Sequence, residues 1–283
     1  MTVSPLRYPG GKAKLFPFFS QLINSNSLFG CHYCEPYAGG AGLALKLLVD
    51  GFVDSAAIND IDCGIFSFWK SVFHTPDELC SRIERLPITI EEWKRQKRIW
   101  SRNDVSKPLE LGLATYFLNR TNRSGIISGA GPIGGFDQCG KWKIDARFNK
   151  TNLISNILSI SKLSNKITIT NLDALVFIKE NLNRKKTLIY LDPPYYEKGQ
   201  KLYTNFYNHN DHLVIASSLK RVPSSNWVVS YDQAPEIRDA YSDFRCIEYN
   251  LNYSAATKTV GSEYIFLSDT LELPNVQGFR LAA

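Results

Sequence analysis

The sequence predicts an α/β protein: a sheet of mainly parallel strands with helices on its faces, interrupted by a mostly helical insert. Three observations carry that expectation. Strand-like and helix-like patterns alternate towards both ends of the 283-residue chain, as in β-α-β units that cross over to parallel neighbours. The alternation breaks between residues 71 and 164. The charge excess falls inside the same break: residues 71–165 hold fifteen Lys/Arg and nine Asp/Glu, while the flanks are balanced, with five of each in 1–70 and thirteen of each in 166–283.

The elements follow in order. His32-Tyr33-Cys34-Glu35-Pro36 reads as a short strand ending in a turn, and Gly39-Gly40-Ala41-Gly42 leads into an apolar helix over Leu43–Leu48. Ala56–Asp60 is a second strand. Asp62 can cap a helix over 62–73, whose apolar Ile65, Phe66, Phe68, Trp69 and Val72 keep to one stripe. Residues 75–119 read as mostly helical, with Thr89 and Glu92 spaced for a capping box. Residues 120–142 are glycine-rich and read as loop, and loops that long are often functional. A helix over 151–164 leads back to alternation: strand 167–170, helix 173–180, strand 187–191, helix 209–220, strand 227–231, helix 235–241, and strands near 244–249 and 262–268. The expected domains are therefore 1–70 with 165–283, and an inserted 71–164.

Composition narrows the class. With 44% hydrophobic and 21% charged residues, the chain can bury a core and is not bulk-disordered. It has no run of about 18 apolar residues that could cross a membrane, and its N-terminus lacks the apolar stretch of a signal peptide. A cytoplasmic location is expected. The six cysteines are too scattered for a disulfide framework. Cys31-x-x-Cys34 has no second pair to complete a zinc site, and on a strand residues three apart point to opposite faces, so both are expected in the core. No metal is expected.

In open α/β sheets, ligands bind outside the carboxyl ends of the strands. Three segments lie there. Glu35–Gly42 has glycines that let backbone approach a ligand, followed by a helix N-terminus. Asp60, ending the second strand, can hold both hydroxyls of a ribose. With no G-x-G-x-x-G phosphate fingerprint, this pair favours a nucleoside-type ligand such as S-adenosylmethionine (AdoMet) over NAD. The third segment is Leu188-Ile189-Tyr190-Leu191-Asp192-Pro193-Pro194-Tyr195-Tyr196. An apolar strand delivers an acid into a Pro-Pro turn that fixes the backbone. The Asp192 carboxylate and Pro193 carbonyl can accept the two hydrogens of a ring amino group, and Tyr195 can stack on the ring.

These residues resemble the N6-adenine-specific DNA methyltransferases of the Dam type. The likeness runs along nearly the whole chain in motif order. It begins with Tyr8-Pro9-Gly10-Gly11-Lys12, continues through Glu35-Pro36-Tyr37-Ala38-Gly39-Gly40-Ala41-Gly42 and Asn59-Asp60-Ile61-Asp62, and includes Asn119-Arg120-Thr121 before Asp192–Tyr195. The resemblance implies a Rossmann-like AdoMet-dependent methyltransferase sheet with an inserted target-recognition domain. It implies transfer of a methyl group to adenine N6 in double-stranded DNA, with the base flipped out. Asp192, Pro193, Pro194 and Tyr195 would be catalytic. Tyr8, Lys12, Glu35, Gly39, Asp60 and Asp192 would bind AdoMet. Asn119, Arg120, Arg123, Lys141 and Lys143 would contact DNA, consistent with the basic insert and its run Trp93–Trp100. Tyr8 stands where the family usually has Trp, and Asn122-Arg123-Ser124-Gly125-Ile126 departs from the family's stretch, so no recognition sequence is carried over. A monomer suffices for this chemistry, and a cognate restriction endonuclease is a compatible partner. Asp before Pro-Pro-Tyr favours adenine over cytosine N4. RNA adenine and a catalytically idle DNA-binding subunit are the competing readings.

Overall fold

The computed structural model describes residues 4–8, 11–196, 207–254, 258–276 and 279–281. After a 3-10 turn at Lys12–Leu15, the chain runs α1 (Phe16–Ser25), β1 (Cys31–Glu35), α2 (Gly42–Val49), β2 (Val53–Asn59) and α3 (Cys63–His74). The insert contributes α4 (Pro76–Arg85), α5 (Ile90–Arg102), α6 (Pro108–Thr121) and α7 (Lys150–Ser161). The sheet resumes with β3 (Ile167–Thr170), α8 (Ala174–Leu182), β4 (Thr187–Leu191), α9 (His209–Lys220), β5 (Asn226–Asp232), α10 (Pro235–Ala240), β6 (Arg245–Ser254), β7 (Lys258–Leu267) and β8 (Phe279–Leu281).

The eight strands form one sheet in the order β3-β2-β1-β4-β5-β7-β6-β8. The first five are parallel, with Cys34 paired to both Ala57 and Ile189 and Leu191 paired to Val229. β7 enters antiparallel beside β5, with Asp232 opposite Glu263, and forms a long hairpin with β6. This arrangement brings the ends of β1, β2, β4 and β5 and the middle of β7, at Glu263, to one edge of the sheet.

Strand alternation divides the core into two layers. Cys31, Tyr33, Leu188, Tyr190 and Val228 face a cluster with α1–α3 and the insert helices, whereas Cys34, Ile189, Leu191, Trp227 and Val229 face α8–α10. The two cysteines are fully buried, unbridged and on opposite faces, as the strand period requires. Asp62 caps α3, accepting from the Gly64 and Ile65 N–H groups at 2.8 and 3.0 Å. The Thr89–Glu92 box is half formed. Thr89 Oγ1 accepts the Glu92 N–H (3.2 Å), but the Glu92 carboxylate turns to Arg95 and Gln96. The sequence reading omitted α1, although Phe18, Phe19, Leu22 and Ile23 bury a helical stripe behind Pro17.

The insert has no separate core. α6 is buried on nearly all sides and lies against α3 so closely that a Cβ on Gly112 would meet the Ser67 carbonyl oxygen at 2.6 Å. The Phe68 and Tyr116 rings stack with centroids 5.0 Å apart. The sequence boundary at residues 70 and 71 falls inside α3. Among the described residues, no helix is long and apolar enough to cross a membrane.

At the end of α6, Asn119 is fully buried. Its Oδ1 accepts the Arg7 N–H (2.7 Å), and its Nδ2 donates to the carbonyls of Arg7 (2.8 Å) and Gly125 (2.9 Å). Every strong bond of this side chain therefore goes to backbone, which corrects its assignment to DNA contact. Asn119→Ala should lower unfolding free energy by about 2–4 kcal/mol, because it strands buried polar groups. Denaturant unfolding checks this; an unchanged midpoint would show that these three bonds do not stabilise the fold.

Candidate active site

β4 is buried along its whole length, so it can deliver Asp192 to the sheet edge without local freedom, and the two prolines that follow stiffen the turn. Asp192 Oδ1 is held from two sides. Ser230 Oγ on β5 donates to it at 2.9 Å and is itself paired with the Tyr190 hydroxyl at 2.7 Å. Lys12 Nζ forms an ion pair with the same oxygen at 3.2 Å. Asp192 Oδ2 takes no hydrogen bond from the described residues. Burial pushes the Asp192 carboxyl above its ordinary range, with the nearby Glu263 charge adding to the rise and Lys12 opposing it.

Lys12 is 8% exposed and is satisfied three ways. Besides Asp192, it donates to Glu263 Oε2 at 2.8 Å and to the Tyr195 hydroxyl at 3.0 Å, while that hydroxyl donates to Glu263 Oε1. Burial alone would lower the Lys12 pKa, but the Asp192 and Glu263 charges reverse the shift and hold it protonated. The sequence reading gives Lys12 to the cofactor; the structure turns its ammonium onto the Asp192–Tyr195 loop instead. The same anchoring buries Tyr195 to 7% exposure, so a ring can reach its face only after a local rearrangement. Tyr196 is fixed next to it, its N–H donating to Asp232 Oδ1 at 2.9 Å.

The second half of the site lies at the ends of β1 and β2. Asp60 Oδ2 accepts the Gly39 N–H (2.8 Å) and Oδ1 accepts the Asp62 N–H (2.9 Å), so the acid shapes the glycine loop. Burial, reinforced by Asp62, pushes the Asp60 carboxyl up to about 7. Gly39 has φ +45°, and a Cβ there would meet the Tyr8 ring at 2.7 Å, so backbone and ring are in direct contact. Ala41 is also left-handed, with φ 45°, a strain typical of ligand-binding loops. Glu35 lies beneath. Its Oε1 accepts from the Tyr33 hydroxyl (3.0 Å) and from the Ala44 N–H in the first turn of α2 (3.1 Å), and burial pushes its pKa up to about 8. Glu35 therefore supports the loop from inside. Pro9 and Gly10 of the first motif lie outside the described residues.

The insert reaches this centre through the N-terminal segment. Arg7 sits between the Asn122–Gly125 turn and the Tyr8–Gly39 contact, donating from Nη1 to the Asn122 carbonyl at 3.1 Å. Arg120, expected to contact DNA, is instead turned inward, with Nε donating to the Arg147 carbonyl at 2.8 Å and Nη1 to the Pro5 carbonyl at 3.4 Å, so its guanidinium is committed to backbone. Arg123, Lys141 and Lys143 are exposed, as is Trp142 at 64%. Lys143 also donates to the Gln138 carbonyl. Sequence reasoning missed Glu263, Ser230 and Asp232. The traceable signal is an acid or hydroxyl inside an otherwise apolar strand.

Residues 8–255 match the family described as D12 class N6 adenine-specific DNA methyltransferase. No curated protein matches the chain. Two solved structures are similar at low identity. One is the Legionella pneumophila protein LPL1258, with TM-score 0.36, 12% identity, and coverage of 95% of this chain and 88% of its own. The other is the rRNA methyltransferase aviRa from Streptomyces viridochromogenes, with TM-score 0.36, 10% identity, and coverage of 93% and 86%. The family match takes in Asp60, Asp192–Tyr195 and the whole insert, and on that basis the chain belongs to the D12 class N6 adenine-specific DNA methyltransferase family, built on a Rossmann-like methyltransferase sheet.

Proposed function

We propose that this chain transfers the methyl group of AdoMet to N6 of adenine in double-stranded DNA, with the target base flipped out of the helix. The observation that carries the reading is Asp192. One of its oxygens is fixed by Lys12 and Ser230, and the other is unengaged by the described residues at the end of a rigid strand.

The residues at the ends of β1 and β2 fit AdoMet. A half-buried carboxylate at Asp60 suits a pair of ribose hydroxyls, and the absence of a side chain at Gly39 lets the Tyr8 ring lie directly against the loop that Asp60 holds. When bound, AdoMet supplies an electrophilic sulfonium methyl. The chain's residues supply the rest. Asp192 Oδ2 and the Pro193 carbonyl accept the adenine amino hydrogens, which localises a nitrogen lone pair otherwise spread into the ring. As the new N–C bond forms, the nitrogen sheds a proton, and the raised affinity of Asp192 for protons favours passing it through that carboxylate to solvent.

An adenine inside a duplex is out of reach, so flipping costs a few kcal/mol. Stacking on Tyr195, once its ring is uncovered, returns about 1–3 kcal/mol. Phosphate contacts from Arg123, Lys141, Lys143 and the exposed basic face of α5 (Lys94, Arg95, Arg98) offset the remainder. Duplex DNA is favoured over RNA by the size and charge of the insert.

The deciding assay incubates the protein with unmethylated genomic DNA and AdoMet, followed by nucleoside mass spectrometry. N6-methyladenine is expected; N4-methylcytosine alone, or no modified base, overturns the reading. Asp192→Ala should reduce transfer by at least about a thousandfold while DNA affinity changes only a few-fold. Combining Arg123→Ala, Lys141→Ala and Lys143→Ala should weaken DNA binding and flatten its salt dependence by about one unit of slope per lost phosphate contact; an unchanged slope removes these residues from the interface. AdoMet binding should weaken with acidification. A carboxyl raised to about 7 loses its charge below that pH, so affinity should fall about tenfold between pH 8 and pH 6. Calorimetry on the wild type and on Asp60→Asn, whose affinity should not vary with pH, checks the assignment.

A further inference from the structure

We propose that Glu263 is a positioning residue for the transfer reaction, acting through Lys12 and Tyr195 to keep one oxygen of Asp192 open for the substrate amino group. This role rests on the proposed adenine chemistry.

Glu263 is 1% exposed and sits midway along β7, at the last pair with β5, where the antiparallel register brings it to the catalytic edge opposite Asp232. A buried carboxylate is costly unless its oxygens are satisfied. Here the two oxygens hold different groups: Oε2 takes Lys12 Nζ at 2.8 Å, and Oε1 takes the Tyr195 hydroxyl. Lys12 approaches Asp192 Oδ1 less closely, at 3.2 Å. The cation's nearer partner is therefore Glu263, and Asp192 receives only part of it.

That division has a chemical consequence. An ammonium with Asp192 as its sole carboxylate partner would draw fully onto it and compete with adenine for the same oxygens. By holding Lys12 at a distance, Glu263 leaves Asp192 Oδ2 available, while Ser230 keeps Oδ1 oriented. Glu263 also fixes the phenol end of Tyr195, and its strand neighbour Asp232 fixes the backbone of Tyr196. Two acids in register on adjacent strands thus pin consecutive residues of the catalytic loop. Misplacing such a loop by about 1 Å is enough to cost on the order of a hundredfold in rate.

The test compares wild type, Glu263→Gln, Lys12→Met and the double variant in methyl transfer to unmethylated genomic DNA, with melting temperature recorded for each. Glu263→Gln is expected to lower kcat by at least about tenfold with KM for AdoMet changed less than about threefold. Adding Lys12→Met should cost less than about threefold more, because both changes act through one cluster. A wild-type kcat in Glu263→Gln, or losses that multiply independently, overturns the proposal. If Glu263→Gln does not fold, Glu263→Asp keeps the charge but shortens its reach, and the same loss of kcat is expected; full activity overturns the role. Acylation of Lys12 by a succinimidyl ester, followed by peptide mass spectrometry, reads the clamp without turnover. Labelling should be at least about tenfold faster in Glu263→Gln, and equal labelling overturns the proposal. Wild-type protein that protects Lys12 yet methylates no DNA overturns the adenine reading and leaves the clamp standing.

Discussion

The architecture of the site depends on one buried cation. Lys12 brings a positive charge to the sheet edge where Asp192 and Glu263 converge, and without it two carboxylates, one of them buried, would face each other. Its three bonds join parts of the chain that sequence keeps far apart: the N-terminal segment, the loop after β4, and the antiparallel β7. The glycine loop, the Tyr8 ring and the Arg7 clasp are then placed by the same segment that carries Lys12.

This arrangement also explains how recognition elements are joined to chemistry. Asn119 and Asn122 in the insert hold backbone and side chain on either side of the N-terminal segment; Trp93 in turn donates to Asn122 Oδ1 at 2.7 Å. The polar residues at the end of α6 serve as connectors between the insert and the catalytic edge. The exposed cations lie elsewhere, on α5 and in the loop after α6.

Much of this was legible in the sequence. Local patterning located β1, β2, β4 and β5 within a few residues, and placed Glu35, Asp60 and Asp192 at strand ends, because each signal is contained in a short window. What was not legible is non-local. Glu263 reads as one polar position in a strand; its place beside Lys12 arises only because β7 runs antiparallel to β5 and sets Glu263 opposite Asp232. Asn119 matches a motif associated with DNA contact, yet it closes a helix whose residues 111–119 are all buried, and an amide in that setting satisfies backbone. Lys12 was placed near the right centre, but its partners could not be chosen among the acids available. α1 is hard to read from sequence despite its apolar stripe, since its start is marked by no polar capping side chain.

The Lys12–Glu263 bond spans 251 positions of chain. At synthesis rates of about 5–20 residues per second, roughly 10–50 seconds separate the emergence of the cation from that of its second carboxylate. The parallel strands can pair while the hairpin is still being made, but the catalytic edge is electrostatically complete only when β7 arrives. A chain that has not yet made β7 can hold the parallel centre of the sheet and the Asp60–Gly39 loop while the Lys12 cluster is still open. The cluster thus forms only after β7 has been made, long after its cation.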